Sequence, residues 1–270
     1  MHALFSESRQ GRLYTSYHCS SCDVYQTLGE VDPVSPDYID LEVEDLDPAH
    51  RYLQTAHKLP AFRQWSALVS THLNKPFENS AVLDIGCGIG GFLDFAHSLK
   101  LTTYGFDASK AHANEAHARH QSVRHAISSH KYFQSLGSVP HIDLVTLWDV
   151  FEHVREPAQF LADIHGVLKS SNGTLFISVP GGAMNPLKVR IAQARNRPVG
   201  LIPWEHVFYY TPKSLRHVVE EAGFEVNDQG GVRPYVRQPF TAHEVLRRVV
   251  HHVLSNTSYA LQLYVLARPR

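Results

Sequence analysis

A short apolar strand that runs straight into glycines constrains this chain more than any other feature. The segment Val82-Leu83-Asp84-Ile85-Gly86-Cys87-Gly88-Ile89-Gly90-Gly91 reads as strand, tight turn and helix start. Glycines let a backbone turn sharply and approach a ligand, and the first turn of a helix offers unpaired N–H groups. The surrounding pattern repeats the theme. Apolar strands at AVLDIG (81–86), TTYGFD (102–107), VRHAI (123–127), IDLVTLW (142–148) and TLFISVP (174–180) alternate with helical stretches at 93–99, 109–120 and 157–168. Such alternation builds parallel βαβ units.

The later segments extend that frame. A helix over 187–194 precedes the Pro/Gly stretch RPVGLIP, and Thr211-Pro212 caps a helix that stops at Ala222-Gly223. FEVND, a helix over 241–254 and YALQLYVLA (259–267) follow, which brings the count to seven strands. The fold class is therefore α/β, a Rossmann-like doubly wound seven-stranded sheet, with the final strand sitting where this class of fold inserts an antiparallel one. Residues 1–46 read as an irregular arm carrying Cys19-Ser-Ser-Cys22, and 47–80 as a helical substrate-side extension that starts at Asp47-Pro48 and splits at Pro60. Residues 81–270 form the Rossmann-like domain, with 181–205 as a lid insert.

Taken alone the glycine loop is ambiguous, because Gly86-x-Gly88-x-x-Gly91 also satisfies the dinucleotide fingerprint of an NAD-dependent oxidoreductase. An acid some 20 positions on, Asp107, ends the second strand and can accept hydrogen bonds from both hydroxyls of a ribose. Asp84 separates the readings. A carboxylate there repels a pyrophosphate and suits a ligand bearing an ammonium and a sulfonium, which favours S-adenosylmethionine over NAD. The bland reading is a glycine turn with no ligand, and the agreement of strand, glycines, helix and spaced acid weighs against it.

Charge and composition exclude other classes. Lys+Arg number 25 against Asp+Glu 26, so no overall basic field exists to hold a phosphate backbone, and nucleic acid is disfavoured as a partner. No apolar run approaches the roughly 20 residues of a membrane span. The start, MHALFSESRQGRLY, lacks the apolar stretch of a secretory signal, and the 3 cysteines make no disulfide framework, so the expected compartment is the cytoplasm. The 19 histidines are irregularly spaced and read as surface composition rather than a metal store.

The segments VLDIGCGIGGFL, YGFDAS and WDVFEHVREP resemble the successive motifs of class I S-adenosylmethionine-dependent methyltransferases. The stretch WEHVFYYTPKSLRHVVEEAGFEV is similar to that following strand five in the subgroup with ubiquinone-pathway O-methyltransferases and natural-product and sugar methyltransferases. The resemblance covers about residues 80–230. It implies that Asp84, Gly86 and Gly88 hold the methionine part of the cofactor, that Asp107 binds its ribose beside Ala108 at the adenine, and that Trp148 presents its backbone near the methionine. S-adenosylhomocysteine would be the product. The adenine amino group has no assigned partner, since the chain after strand three reads Ser128-Ser129-His130.

Methyl transfer to a hydroxyl needs alignment, exclusion of water and a base, for which histidine is suited near neutral pH. His153, after strand four, and His206, after the insert, are the candidates; packing or hydrogen-bonded structural roles are the alternative for each. In the ubiquinone-pathway relatives an acid-x-x-Glu-His cluster resembles a divalent metal site, which here implies Asp149, Glu152 and His153. Capping and packing by that pair is the preferred reading, with metal the lesser one. Cys19 and Cys22 form half of a structural zinc site, and unmetallated thiols are preferred there because no second CxxC exists. Tyr209 and Tyr210 read as packing residues. No Asn-Pro-Pro-aromatic motif of the amino-directed nucleic-acid enzymes follows strand four, where the chain reads Trp148-Asp149-Val150-Phe151. The expected function is small-molecule methylation at oxygen, with a non-catalytic cofactor-binding partner subunit as the competing class. A homodimer is compatible with the sequence.

Overall fold

Uninterrupted apolar strands such as Leu144–Trp148 and Thr174–Pro180 call for cover on both faces of a sheet. The computed structural model of the chain supplies it. It describes residues 1–9, 12–29, 55–73, 76–135, 140–197, 199, 201, 203, 205–233, 242–255 and 257–270. In chain order the elements are β1 (His2–Arg9), β2 (Arg12–Cys19), β3 (Val24–Gly29), α1 (Leu59–His72), β4 (Ala81–Ile85), α2 (Gly91–Ser98), β5 (Thr102–Asp107) and α3 (Lys110–Arg119). Then come β6 (Val123–His125), α4 (Ser129–Ser135), β7 (Leu144–Trp148), α5 (Pro157–Ser171), β8 (Thr174–Pro180) and α6 (Asn185–Ala194). The chain ends with β9 (Phe208–Tyr209), α7 (Pro212–Glu221), β10 (Phe224–Gly231), α8 (Ala242–Ser255) and β11 (Gln262–Pro269).

Seven strands form the central sheet in the order β10-β11-β8-β7-β4-β5-β6. The β4, β5, β6, β7 and β8 pairs are parallel, while β11 runs antiparallel to both β8 and β10. Successive side chains alternate between faces. Leu83, Ile85, Val145 and Leu147 thus join α5 residues Leu161, Ile164 and Leu168 on one face. Val82, Leu144 and Trp148 join Phe62, Trp65, Phe92 and Leu93 from α1 and α2 on the other. The same alternation sends Asp84, one residue before the end of β4, and Thr146, two before the end of β7, to the α1 side. Chain order reverses about β4, with β5 on one side and β7 on the other, and in open α/β sheets ligands bind in the crevice at such a switch point.

The N-terminal arm corrects the sequence expectation. Rather than being irregular, its strands β1, β2 and β3 form an antiparallel sheet that β9 completes as a fourth strand. Inward positions on this sheet are Phe5, Tyr14, Ser16, Tyr25 and Thr27, all buried. Polar Ser16 and Thr27 bond each other at 3.1 Å, which is why a search for alternating apolar residues passes over these strands. The β2–β3 turn places Asp23 at φ 59, a left-handed position that aspartate tolerates better than most residues. Pro60 sits in the first turn of α1, where its missing N–H costs nothing, directly after the 3₁₀ turn Ala56–Lys58. The Asp47-Pro48 start and the acidic run before it lie outside the described residues. Nothing in Ser128-Ser129-His130 marks α4 as a helix at the level of sequence.

The arm and the insert after β8 share a small core of Phe5, Tyr25, Val189, Leu201 and Tyr209. Tyr25 pairs with Tyr209 across β3 and β9, and Thr27 N–H donates to the Val207 carbonyl at 2.9 Å. Thr211, which caps α7, also donates through Oγ1 to the Asp23 carbonyl at 3.0 Å. Tyr25→Ala should cost about 3 kcal/mol, in the range of large-to-small core substitutions. Native-state hydrogen exchange should show protection lost in β3, β9 and α6 while β4, β7 and β8 keep theirs; uniform loss would mean the small core is not a separate cooperative unit.

Candidate functional site

The carboxyl ends of β4, β5 and β7 bring the sequence motifs together. Beyond Ile85 the chain turns through Gly86 at φ +70, and the N–H groups of Gly86 and Cys87 both donate to the Phe106 carbonyl, at 2.9 and 3.1 Å. A side chain at Gly86 would meet Val150 Cγ2 at 2.5 Å, so only glycine lets the turn pack against the segment after β7. Gly90 at φ +86 then leads into α2. Asp107 closes the loop from the neighbouring strand. Its Oδ2 accepts from Gly88 N–H at 2.7 Å and its Oδ1 from Ser109 N–H at 2.8 Å.

Asp84 is 2% exposed and accepts a hydrogen bond from Thr146 Oγ1 at 2.7 Å. Burial outweighs that bond and the Lys58 ammonium and pushes the carboxyl up to about 8. Burial also raises Asp107, against the pull of its two backbone N–H donors. A pair of acids at the mouth of a glycine turn, one of them neutral until a positive group arrives, is suited to a ligand with a cationic end and a diol. Ala108 follows Asp107, and its carbonyl accepts from His125 Nε2 at 3.1 Å. Trp148 is buried, packed edge-on to Phe62 at 4.9 Å between centroids.

On the β7 side, Asp149 adopts φ +58, and its N–H donates to the Ser178 carbonyl. Its carboxylate is held on both oxygens, by Lys58 Nζ at 2.7 Å and by Gln262 Nε2 at 2.5 Å. Lys58 and Gln262 lie far away in sequence, at 91 and 113 residues, and no local signal singles them out.

Glu152 lies in the short 3₁₀ turn Phe151–His153 and is 1% exposed, with no hydrogen-bond partner for either carboxyl oxygen among the described residues. Two imidazoles face it: Nε2 of His153 at 3.8 Å and Nε2 of His206 at 4.0 Å from Oε1. The rings pack edge-to-face at 4.8 Å. His153 Nδ1 lies 2.9 Å from the Glu205 carbonyl. A carbonyl only accepts, so this nitrogen carries the proton and leaves Nε2 with a free lone pair when the ring is neutral. Burial raises Glu152 well above the usual carboxylate range, with Asp149 adding to the effect. Burial lowers His206 to about 3, helped by His153, and lowers His153 as well. His206 is the more enclosed of the two, its side chain 13% exposed against 34% for His153.

The structure therefore joins Glu152 and His153 with His206, while Asp149 is engaged elsewhere. Among the described residues, Glu152, His153 and His206 are the group of three donors within ligand reach of one another, all their ligand atoms lying within 4.8 Å. Cys19 and Cys22 sit at the tip of the β2–β3 hairpin without a third such donor among the described residues; Cys19 Sγ contacts Ser21 Oγ at 3.1 Å, and His18 is bonded to Asp23 at 2.9 Å. Cys87 is buried as a packing residue. A separate groove lined by Gln64, Gln229, Gly230, Thr257 and Tyr264 includes none of the site residues. No helix among the described residues is long and apolar enough to cross a membrane.

A family model described as a methyltransferase domain matches residues 55–229. A probable S-adenosylmethionine-dependent methyltransferase of Mycolicibacterium smegmatis is 29% identical over 157 residues, covering 56% of this chain and 54% of that protein. The mitochondrial ubiquinone biosynthesis O-methyltransferase of Dictyostelium discoideum is 25% identical over 177 residues, covering 59% and 54%. The chain thus spans about half the length of these relatives. In fold it is similar to the Burkholderia thailandensis 1,6-didemethyltoxoflavin-N1-methyltransferase, with a TM-score of 0.53 at 17% identity, covering 98% of both chains.

The imidazoles provide a direct check. Nitrogen-detected NMR should find His206 neutral from pH 8 down to about 4, with His153 protonated on Nδ1 at neutral pH. A normal histidine titration at position 206 would show that the cluster is solvated.

Proposed function

The chain belongs to the methyltransferase domain family, and we propose that it transfers the methyl group of S-adenosylmethionine to an oxygen of a small-molecule acceptor. When bound, that cofactor supplies a methyl carbon already activated by a sulfonium. The observation that carries the cofactor assignment is Asp84, a buried acid held neutral up to about 8 beside a glycine turn that a single Cβ would block. An ammonium set opposite would restore its charge. Asp107, with Gly88 and Ser109 already on its oxygens, retains acceptor capacity for ribose hydroxyls. In this reading Gly86 and Gly88 shape the methionine end, Trp148 contributes its backbone there, and Ala108 borders the adenine.

The acceptor side falls to Glu152, His153 and His206. Transfer is an in-line displacement, so the residues have to align the acceptor oxygen, keep water out and take its proton. His153 suits proton removal, since its Nδ1–H is anchored on the Glu205 carbonyl and its Nε2 lone pair is turned toward the cluster. His206 and the half-buried Lys58–Asp149 pair border the same space, to which both Asp149 and Lys58 contribute charge felt at Glu152. The ubiquinone-pathway relatives support oxygen as the accepting atom.

Three outcomes test this reading. Labelled S-adenosylmethionine added to an extract of the source organism should put label into small molecules; label in protein or nucleic acid would sink the assignment. Asp107→Asn should weaken cofactor binding by about tenfold to a hundredfold, the worth of one charge-assisted hydrogen bond. Cofactor binding at pH 7 should also release a proton, because Asp84 is mostly protonated below about 8 and an adjacent ammonium lowers it. Calorimetry in buffers of different ionisation enthalpy measures that proton, and the release should vanish above about pH 9, where the acid is already ionised. No release at pH 7 would place the ammonium away from Asp84.

A further inference from the structure

The geometry points to a divalent transition-metal site built from Glu152, His153 and His206, with Asp149 outside it. The donor set differs from the consecutive Asp149–Glu152–His153 pattern that the sequence resemblance implies, because it draws its third ligand from the segment between the insert and β9. Four observations carry it. Glu152 is 1% exposed and both its carboxyl oxygens lack a partner among the described residues. Native proteins satisfy buried polar atoms, and a pair of orphaned carboxyl oxygens is a cost that an ion would remove.

The imidazoles are already arranged as ligands. His153 donates Nδ1–H to the Glu205 carbonyl at 2.9 Å, the outer hydrogen bond that typically orients a metal-binding histidine. His206 makes no hydrogen bond through Nδ1 among the described residues, so no such bond on that ring has to break. The distances are near those required. Donors bonded to an ion at about 2.1 Å stand roughly 3.0–3.5 Å from one another. Here the Glu152 oxygen lies 3.8 and 4.0 Å from the two Nε2 atoms and the whole donor set lies within 4.8 Å, so binding draws the donors together by about 0.5 to 1.5 Å.

Asp149 is withdrawn from the set. Both of its oxygens are committed, one to the Lys58 ammonium and one to the Gln262 amide. Two imidazoles with one carboxylate suit Zn²⁺, Co²⁺ or Fe²⁺ better than Mg²⁺, which favours oxygen ligands. Three protein ligands leave a position open, as in catalytic rather than structural sites. Coordination occupies the His153 Nε2 lone pair, so with the ion bound the acceptor hydroxyl is deprotonated through the ion's lowering of its pKa and not by that ring; this role rests on the proposed function, and the binding itself does not.

The test uses the untagged full chain, stripped with chelator and titrated with Zn²⁺ by calorimetry and with Co²⁺ by visible absorption. One equivalent should bind above the background of surface histidines. Glu152→Gln and His206→Ala should each weaken that equivalent at least about tenfold, the lower bound seen when even an outer-shell partner is lost. Asp149→Asn and Cys19→Ser should retain it. Circular dichroism and S-adenosylmethionine affinity check that each variant is folded and keep the result separate from methyl transfer. Loss of the equivalent in Asp149→Asn with retention in His206→Ala would overturn the assignment in favour of the consecutive set. Loss on Cys19→Ser, or no saturable equivalent in the unmutated chain, would overturn it outright.

Discussion

The carboxylate of Asp107 is the interaction on which the site depends. By accepting Gly88 N–H and Ser109 N–H it ties the turn after β4 to the end of β5 and to the start of α3. The glycine turn has few side chains with which to hold its own shape. Its conformation comes instead from backbone bonds to Phe106 and Asp107 on the neighbouring strand, and from the close approach of Gly86 to Val150. Three parallel strand ends are thereby locked together at the point where chain order reverses.

Acidic side chains gather around Lys58 beside that point. Asp84, Asp149 and Glu152 share the field of Lys58, which lowers the pKa of both Asp84 and Glu152 without overcoming their burial. Each acid responds differently. Asp149, part-exposed, is paired with an ammonium and an amide; Asp84 is buried with one hydroxyl donor and is pushed up to about 8; burial raises Glu152 well above the usual carboxylate range. In the two buried acids desolvation disfavours the charged form more than their hydrogen bonds and the Lys58 ammonium favour it. A region of this kind favours cationic ligands, whether an ammonium group or an ion.

The N-terminal sheet sets the position of the segment that carries His206. Strand β3 captures β9 two residues after His206, and the same hairpin is bonded to the Thr211 cap of α7. His206 is thus positioned by residues 24–29, at the opposite end of the chain. Packing of Phe5 and Tyr25 against Val189 and Leu201 joins the arm to the insert after β8.

The Rossmann-like sheet, its seven strands and the glycine turn with its neighbouring acids are all legible in the order of the residues. These features are local: a strand, its turn and its following helix are contiguous, and the glycines, Asp84 and Asp107 mark strand ends at regular intervals. Period-2 and period-3.6 patterns carry that information directly. The features that depend on three-dimensional packing are non-local. The β1–β3 sheet is hidden from pattern reading because its inward positions include Ser16 and Thr27, whose burial becomes tolerable only when they bond each other across the strands. Lys58 and Gln262 gain meaning through Asp149, which neither neighbours in sequence. Whether Asp149 or His206 would join Glu152 and His153 is likewise set by distant packing. Adjacency in sequence favours Asp149, but its oxygens are claimed by residues from the start and the end of the fold, and the chain brings His206 across instead.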